Sequence, residues 1–149
     1  RPEALAELRT RVARARLRNV RTVARPDPSG YDGVLVDAPC SGSGTWRRAP
    51  HLKWTTTEAQ VEAHAERQRE LLAACSAHVR PGGRLVYATC SLSRRENEDV
   101  VAAFLAANPA FAAVPPARDF GFAAGPLGLA ILPARHDTDG FFVAQLRRT

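Results

Sequence analysis

The 149 residues contain no methionine, and the first of them is Arg1. An intact translation product begins with methionine, so the expectation is that residues precede Arg1 and that the chain is a fragment. Cysteine is scarce. Cys40, Cys75 and Cys90 are odd in number, and none of them forms a CxxC pair. That argues against a disulfide framework and against zinc ligation, and leaves a reactive thiol open. His51, His64, His78 and His136 have no ligand spacing, so no metal is expected. No apolar run approaches the ~20 residues that a membrane span needs. No charged start leads into an apolar stretch, as a signal peptide would. The default is a soluble, cytoplasmic, single-domain protein without membrane contact.

Charge is unevenly placed. The formal net charge is +6, and eight arginines (1, 9, 11, 14, 16, 18, 21 and 25) fall in residues 1–25 against only Glu3 and Glu7. The rest of the chain is balanced. A basic cluster of this kind suits a polyanionic partner, although a solvated helix face would read the same way.

Leu5, Leu8, Val12 and Ala15 recur at helical spacing, so residues 2–18 are expected to form an amphipathic helix that Asn19 can end. Val20–Ala24 reads as a short strand and Asp27–Gly30 as a turn. Val34–Val36 is expected to be a strand buried on both faces. It leads into a loop rich in Gly, Ser and Pro from Ala38 to Thr56. Thr57 and Gln60 have capping-box spacing, opening a helix to about Val79 with Val61, Ala65, Leu71, Leu72 and Cys75 inward. Pro81-Gly82-Gly83 should turn the chain into a second buried strand, Arg84–Thr89. Ser93 and Glu96 repeat the capping-box spacing before a helix with Val100, Val101, Phe104 and Leu105 inward. Residues 110–128 read as irregular. Leu129–Leu132 and Phe141–Leu146 are too close for a crossover helix and should form an antiparallel hairpin. Alternating strands and helices closed by such a hairpin indicate an α/β fold of the Rossmann-like methyltransferase pattern.

Two segments carry the chemistry. Val34-Leu-Val-Asp37-Ala-Pro39-Cys40-Ser-Gly-Ser-Gly44-Thr45 places an acid and a thiol just past the C-terminal end of a strand, the edge where open α/β sheets bind ligands. Leu85-Val-Tyr-Ala-Thr89-Cys90-Ser91 repeats that arrangement. If the strands are neighbours, both thiols lie at one edge of the sheet. Cys75, on the apolar face of a helix, reads as core instead.

These segments resemble the NOL1/NOP2/Sun family of RNA cytosine-5 methyltransferases, and within it the bacterial RsmB-type ribosomal RNA enzymes. Asp37–Thr45, followed by Arg47-Arg48, Pro50 and Lys53-Trp54, is similar to the family's motif IV. Tyr87–Ser91, followed by Glu96-Asn97-Glu98 and Val100-Val101, is similar to motif VI, and Asp139–Ala144 resembles the closing motif. The resemblance implies a class I methyltransferase sheet of order 3-2-1-4-5-7-6, with strands 1 and 2 and the glycine-rich cofactor loop missing upstream. The strand at Val34–Val36 would then keep an unpaired edge. Residues 1–149 would be the C-terminal portion of one methyltransferase domain that uses S-adenosyl-L-methionine and binds the cofactor weakly or not at all on its own. Asp27 is an uncertain counterpart of the family's third-strand acid.

The implied reaction is methylation of carbon 5 of a cytosine in RNA, by resemblance 16S ribosomal RNA. A thiolate adding to carbon 6 makes carbon 5 nucleophilic, which is covalent catalysis. The resemblance assigns Cys90 as nucleophile, Cys40 to release of the adduct, and Asp37 to a position between cofactor and base, with Pro39 beside it on the cofactor. A carboxyl can donate to the ring only when protonated. Arg47, Arg48 and Lys53 are expected to contact the RNA backbone, and the target base must be unstacked to be reached. Trp54 reads as a packing residue beside the loop in preference to a stacking platform. The alternatives are a non-catalytic RNA-binding fragment, a protein or DNA methyltransferase, or a cysteine hydrolase or redox protein, the last lacking a GxSxG-like elbow or CxxC.

Overall fold

Along the chain run α1 (Pro2–Arg14), β1 (Tyr31–Asp37), α2 (Leu52–Thr55), α3 (Glu58–Ser76), β2 (Val79–Thr89), α4 (Glu98–Ala107), β3 (Phe111–Ala113), β4 (Ala123–Gly125), β5 (Gly128–Ile131), α5 (Pro133–His136) and β6 (Phe141–Arg148). This computed structural model describes residues 2–115 and 120–149. Arg1 of the basic cluster and residues 116–119 of the stretch expected to be irregular lie outside the described residues.

The six strands form one sheet in the order β1-β2-β6-β5-β4, with β3 also pairing β6. β1 and β2 are parallel, with Asp37 opposite Ala88. β6 runs antiparallel to both β2 and β5. This is the 4-5-7-6 half of the expected class I order, with the expected closing hairpin. β1 pairs only with β2 among the described residues, so its other edge is open, as the sequence suggested.

Helices α3 and α4 cover one face. Val36, Leu72, Leu85, Tyr87, Val100, Val101, Phe142 and Leu146 form the core between them and the sheet. Each such apolar side chain contributes about 1.5–3 kcal/mol by leaving water. The other face is not sealed, and this corrects the reading of Val34–Val36 as buried on both sides. Leu35 points away from Val36 and is 68% exposed.

Thr57 does cap α3. Its side chain accepts from the Gln60 N–H while Gln60 accepts from the Thr57 N–H. The far end differs from expectation. α3 stops at Ser76, and Val79 already belongs to β2 opposite Tyr31. Pro81-Gly82-Gly83 does not turn the chain between elements. It bulges within β2, where the register jumps from Tyr31–Val79 to Gly33–Arg84. Gly82, at φ 76°, supplies the left-handed residue this bulge needs.

α1 is also shorter than its periodicity implied. It ends at Arg14 because Arg16 takes φ 52°, with Leu17 N–H on Val12 O and Arg16 N–H on Ala13 O, the Schellman pattern. Leu5 and Leu8 remain 44% and 40% exposed, and of the stripe's residues only Val12 is half-buried. Val20–Ala24 forms no strand, because no strand lies beside it to receive its hydrogen bonds. The stretch expected to be irregular holds β3 and β4. The second capping box is absent. Ser93 makes no side-chain cap, and Glu96 turns inward.

Candidate active site

Parallel pairing of β1 and β2 sends both strands out of the same edge of the sheet. The Ala38 N–H still bonds Ala88 O at 2.9 Å, so the two loops leave side by side. Cys90 follows the last residue of β2, and Cys40 lies three residues past β1. Their sulfurs are 3.3 Å apart. Both cysteines are half-buried free thiols. Burial, and then the contact with Cys90, pushes the Cys40 thiol up to about 12. Cys40 is thereby held as an S–H that can donate to its neighbour.

Three close contacts tie the loops together. The Gly44 N–H donates to Cys90 O at 2.9 Å, the Leu92 N–H donates to Ser43 Oγ at 2.8 Å, and the Gly140 N–H donates to Gly44 O at 2.8 Å. Only glycine fits position 44, where an added Cβ would lie 2.2 Å from Gly140 O. The corner before β6 is thus the third wall of the site.

Beneath the thiols lies a polar cluster that sequence reasoning missed. Glu96 is fully buried and accepts from the Ser41 N–H (2.8 Å), Ser41 Oγ (2.5 Å), Ser91 Oγ (2.5 Å) and Gln68 Nε2 (3.2 Å). Gln68 also donates to Pro39 O at 2.9 Å. Asn97 accepts from Thr89 Oγ1 and donates to Ser91 O. Two signals were in the sequence: a serine directly after each cysteine, and a glutamine on the inward face of α3.

A profile of the family described as 16S rRNA methyltransferase RsmB/F matches residues 3–147. The chain belongs to this family. Ribosomal RNA small subunit methyltransferase B of Vibrio vulnificus is 44% identical over 116 residues, covering 78% of this chain and 26% of the relative. Among solved structures, that of PH0851 superposes with a TM-score of 0.86 at 34% identity, over 97% of this chain and 34% of its own. The structure of NSun6 from Pyrococcus horikoshii with SFG superposes with a TM-score of 0.78 at 29% identity, over 97% of this chain and 38% of its own. The chain therefore spans about a quarter of the length of the curated relatives it matches.

Against the residues expected from the family motifs, the fold brings Cys40 and Cys90 together and leaves Asp37 and Pro39 exposed beside them at the tip of β1. The Asp37 carboxyl has no hydrogen-bond or ion-pair partner among the described residues. Arg47 and Arg48 reach the β5–β6 connection while staying exposed, pairing with Asp137 at 3.6 Å and Asp139 at 2.6 Å. An exposed pair such as Arg47–Asp137 contributes only about 0–1 kcal/mol. Lys53 Nζ sits 5.6 Å from the centre of the Trp54 ring. Trp54 is 82% exposed, which overturns its reading as a packing residue. α2 is a single turn and too short to fold the ring back onto the core. Cys75 packs against the core as expected, and burial raises its thiol. No helix among the described residues is long and apolar enough to cross a membrane.

Proposed function

We propose that these residues are the C-terminal portion of a methyltransferase domain that methylates carbon 5 of a cytosine in small-subunit ribosomal RNA. The observation that carries this reading is the pair of thiols 3.3 Å apart at the C-terminal edge of two parallel strands. The naming of relatives as rRNA methyltransferases and the SFG in a structural neighbour, an analogue of S-adenosylmethionine, support the substrate and cofactor classes.

S-adenosyl-L-methionine supplies an electrophilic methyl group. The residues here suited to holding it are Asp37 and Pro39. Asp37 is an exposed acceptor without a partner among the described residues, and Pro39 presents a flat apolar surface beside it. Neither is closed off by protein, so an extended ligand can lie along the open tip of β1.

Cys90 is the nucleophile. Its sulfur adds to carbon 6, and the electron pair moves through the ring so that carbon 5 can take the methyl group. Loss of the carbon 5 proton to solvent water then lets the carbon 5–hydrogen electron pair form the carbon 5–carbon 6 double bond, which breaks the Cys90–carbon 6 bond and returns that bonding pair to the Cys90 sulfur. Cys40 assists at that sulfur. Held as a thiol, it donates S–H to the charge that appears on Cys90 in release and stabilises the leaving thiolate. It is therefore a donor in this scheme and not the base that takes the proton. Arg47, Arg48 and Lys53 lie on the rim of the same loop and supply phosphate contacts for an unstacked cytosine.

The test uses the complete protein carrying these residues, S-adenosylmethionine, and RNA substituted with 5-fluorocytosine. Fluorine replaces the proton that elimination needs, so the adduct persists. A denaturation-resistant protein–RNA adduct that disappears in Cys90→Ala and persists in Cys40→Ala is expected. No adduct from any variant on target-containing RNA would leave an RNA-binding role without catalysis.

A further inference from the structure

The buried carboxyl of Glu96 has no part in the scheme above, yet it accepts four hydrogen bonds. Its two oxygens gather donors from both cysteine loops and from α3. Oε1 takes the Ser41 N–H and Gln68 Nε2, and Oε2 takes both Ser41 Oγ and Ser91 Oγ. Ser41 is the residue after Cys40, and Ser91 the residue after Cys90. The two hydroxyls are themselves 3.2 Å apart. Glu96 is held from behind by Tyr87, whose hydroxyl donates to Glu96 O at 2.5 Å from the middle of β2. Gln68 bonds both the carboxyl and Pro39 O, so α3 fixes the peptide just before Cys40 as well. No ion pair to a basic side chain joins Glu96 among the described residues. Every partner it has belongs to, or braces, a cysteine loop.

We propose that Glu96 is a positioning residue that sets the separation of the two catalytic sulfurs by clamping Ser41 and Ser91 to one carboxyl. This rests on the cytosine methyltransferase reading. Strand pairing fixes the loops only as far as Ala38 and Ala88. Beyond that point, the clamp acts with the Gly44–Cys90, Leu92–Ser43 and Gln68–Pro39 contacts to decide where each thiol stands. Glu96 touches neither sulfur and is fully buried, so it acts through its partners.

The length of the side chain is the variable to change. Glu96→Asp shortens the arm by one methylene, so the carboxyl no longer reaches both serines. Glu96→Gln keeps the arm: its oxygen still accepts the Ser41 N–H, and its amide donates to hydroxyls able to accept. A displacement on the order of 1 Å at reacting groups costs about 100-fold in rate. In the complete protein, Glu96→Asp is expected to lose about that factor in kcat, with KM for RNA within about threefold, because an interaction that matters only during turnover has been removed. It should also accumulate the Cys90 adduct on ordinary cytosine RNA, as a misplaced Cys40 predicts. Glu96→Gln should recover at least a tenth of the wild-type kcat.

Wild type and Cys90→Ala are run beside these variants, with melting temperatures for each. If wild type forms no adduct on 5-fluorocytosine RNA, the methyltransferase reading and the positioning role fall together. If wild type works but Glu96→Asp turns over at the wild-type rate, the positioning role alone is overturned. It is equally overturned if Glu96→Asp and Glu96→Gln lose activity only in proportion to their unfolded fraction, without accumulated adduct.

Discussion

Replacing Gly44 by alanine drives a methyl group into backbone. The added carbon would lie 2.2 Å from Gly140 O, 2.7 Å from Gly140 C and 2.8 Å from Gly140 Cα, where ordinary contact begins at 3.4 Å. The loops must therefore separate by about 1 Å, and no flexible side chain is present to yield. Two backbone bonds run through this residue, Gly140 N–H to Gly44 O and Gly44 N–H to Cys90 O, and separation lengthens the first directly. Overpacking of this kind costs about 1–3 kcal/mol, and a weakened hydrogen bond adds on the order of 1 kcal/mol. At about 2–4 °C per kcal/mol for chains of this size, the melting temperature should fall by roughly 4–16 °C. The second bond carries the shift to Cys90, so adduct formation should slow by about 100-fold. Thermal unfolding and the rate of 5-fluorocytosine adduct formation read the two effects. A Gly44→Ala protein with wild-type melting temperature and wild-type adduct rate would refute the claim that the β5–β6 corner walls the site.

Three further outcomes are expected. The Cys40 thiol is pushed up to about 12 in the folded chain, so folding favours its protonated form. Its contribution to stability is complete below the unfolded thiol value near ~8.5 and is lost as pH rises toward the folded value. Denaturation curves from pH 8 to 11 should therefore fall less steeply for Cys40→Ala than for wild type, and parallel curves would contradict the assignment. Trp54 is 82% exposed beside Lys53, so Trp54→Ala should leave the melting temperature unchanged. It should weaken RNA binding by about 1–3 kcal/mol, the contribution of one stacked base. Lys53→Ala should instead reduce the salt dependence of binding by about one phosphate contact. Unchanged RNA affinity in both would remove this rim from the RNA path.

Much of the active-site reading rested on residues adjacent in sequence. Asp37-Ala-Pro-Cys40 and Thr89-Cys90-Ser91 each begin on the last residue of a strand, and a neighbouring parallel pair has one common C-terminal edge, so the meeting of the two thiols was legible before any coordinates. The same holds for the α3 N-terminus, where Thr57 and Gln60 satisfy each other within three residues, and for the antiparallel closing hairpin, whose connection is too short to cross over.

Tertiary structure decided what local signals left degenerate. Ser93 and Glu96 have the spacing of a capping box, but a buried carboxyl goes where donors are concentrated, and Ser41, Ser91 and Gln68 come from three separate elements. Pro81-Gly82-Gly83 has the composition of a turn, yet continued pairing of Val79 with Tyr31 makes it a bulge. Val20–Ala24 has the composition of a strand but no neighbour among the described residues to complete its hydrogen bonds. Composition and period determined which elements could form and which residues they carried to one edge of the sheet. Only the folded chain determined which polar groups shared a buried partner, because desolvation penalises every unpaired group and that accounting closes only in three dimensions.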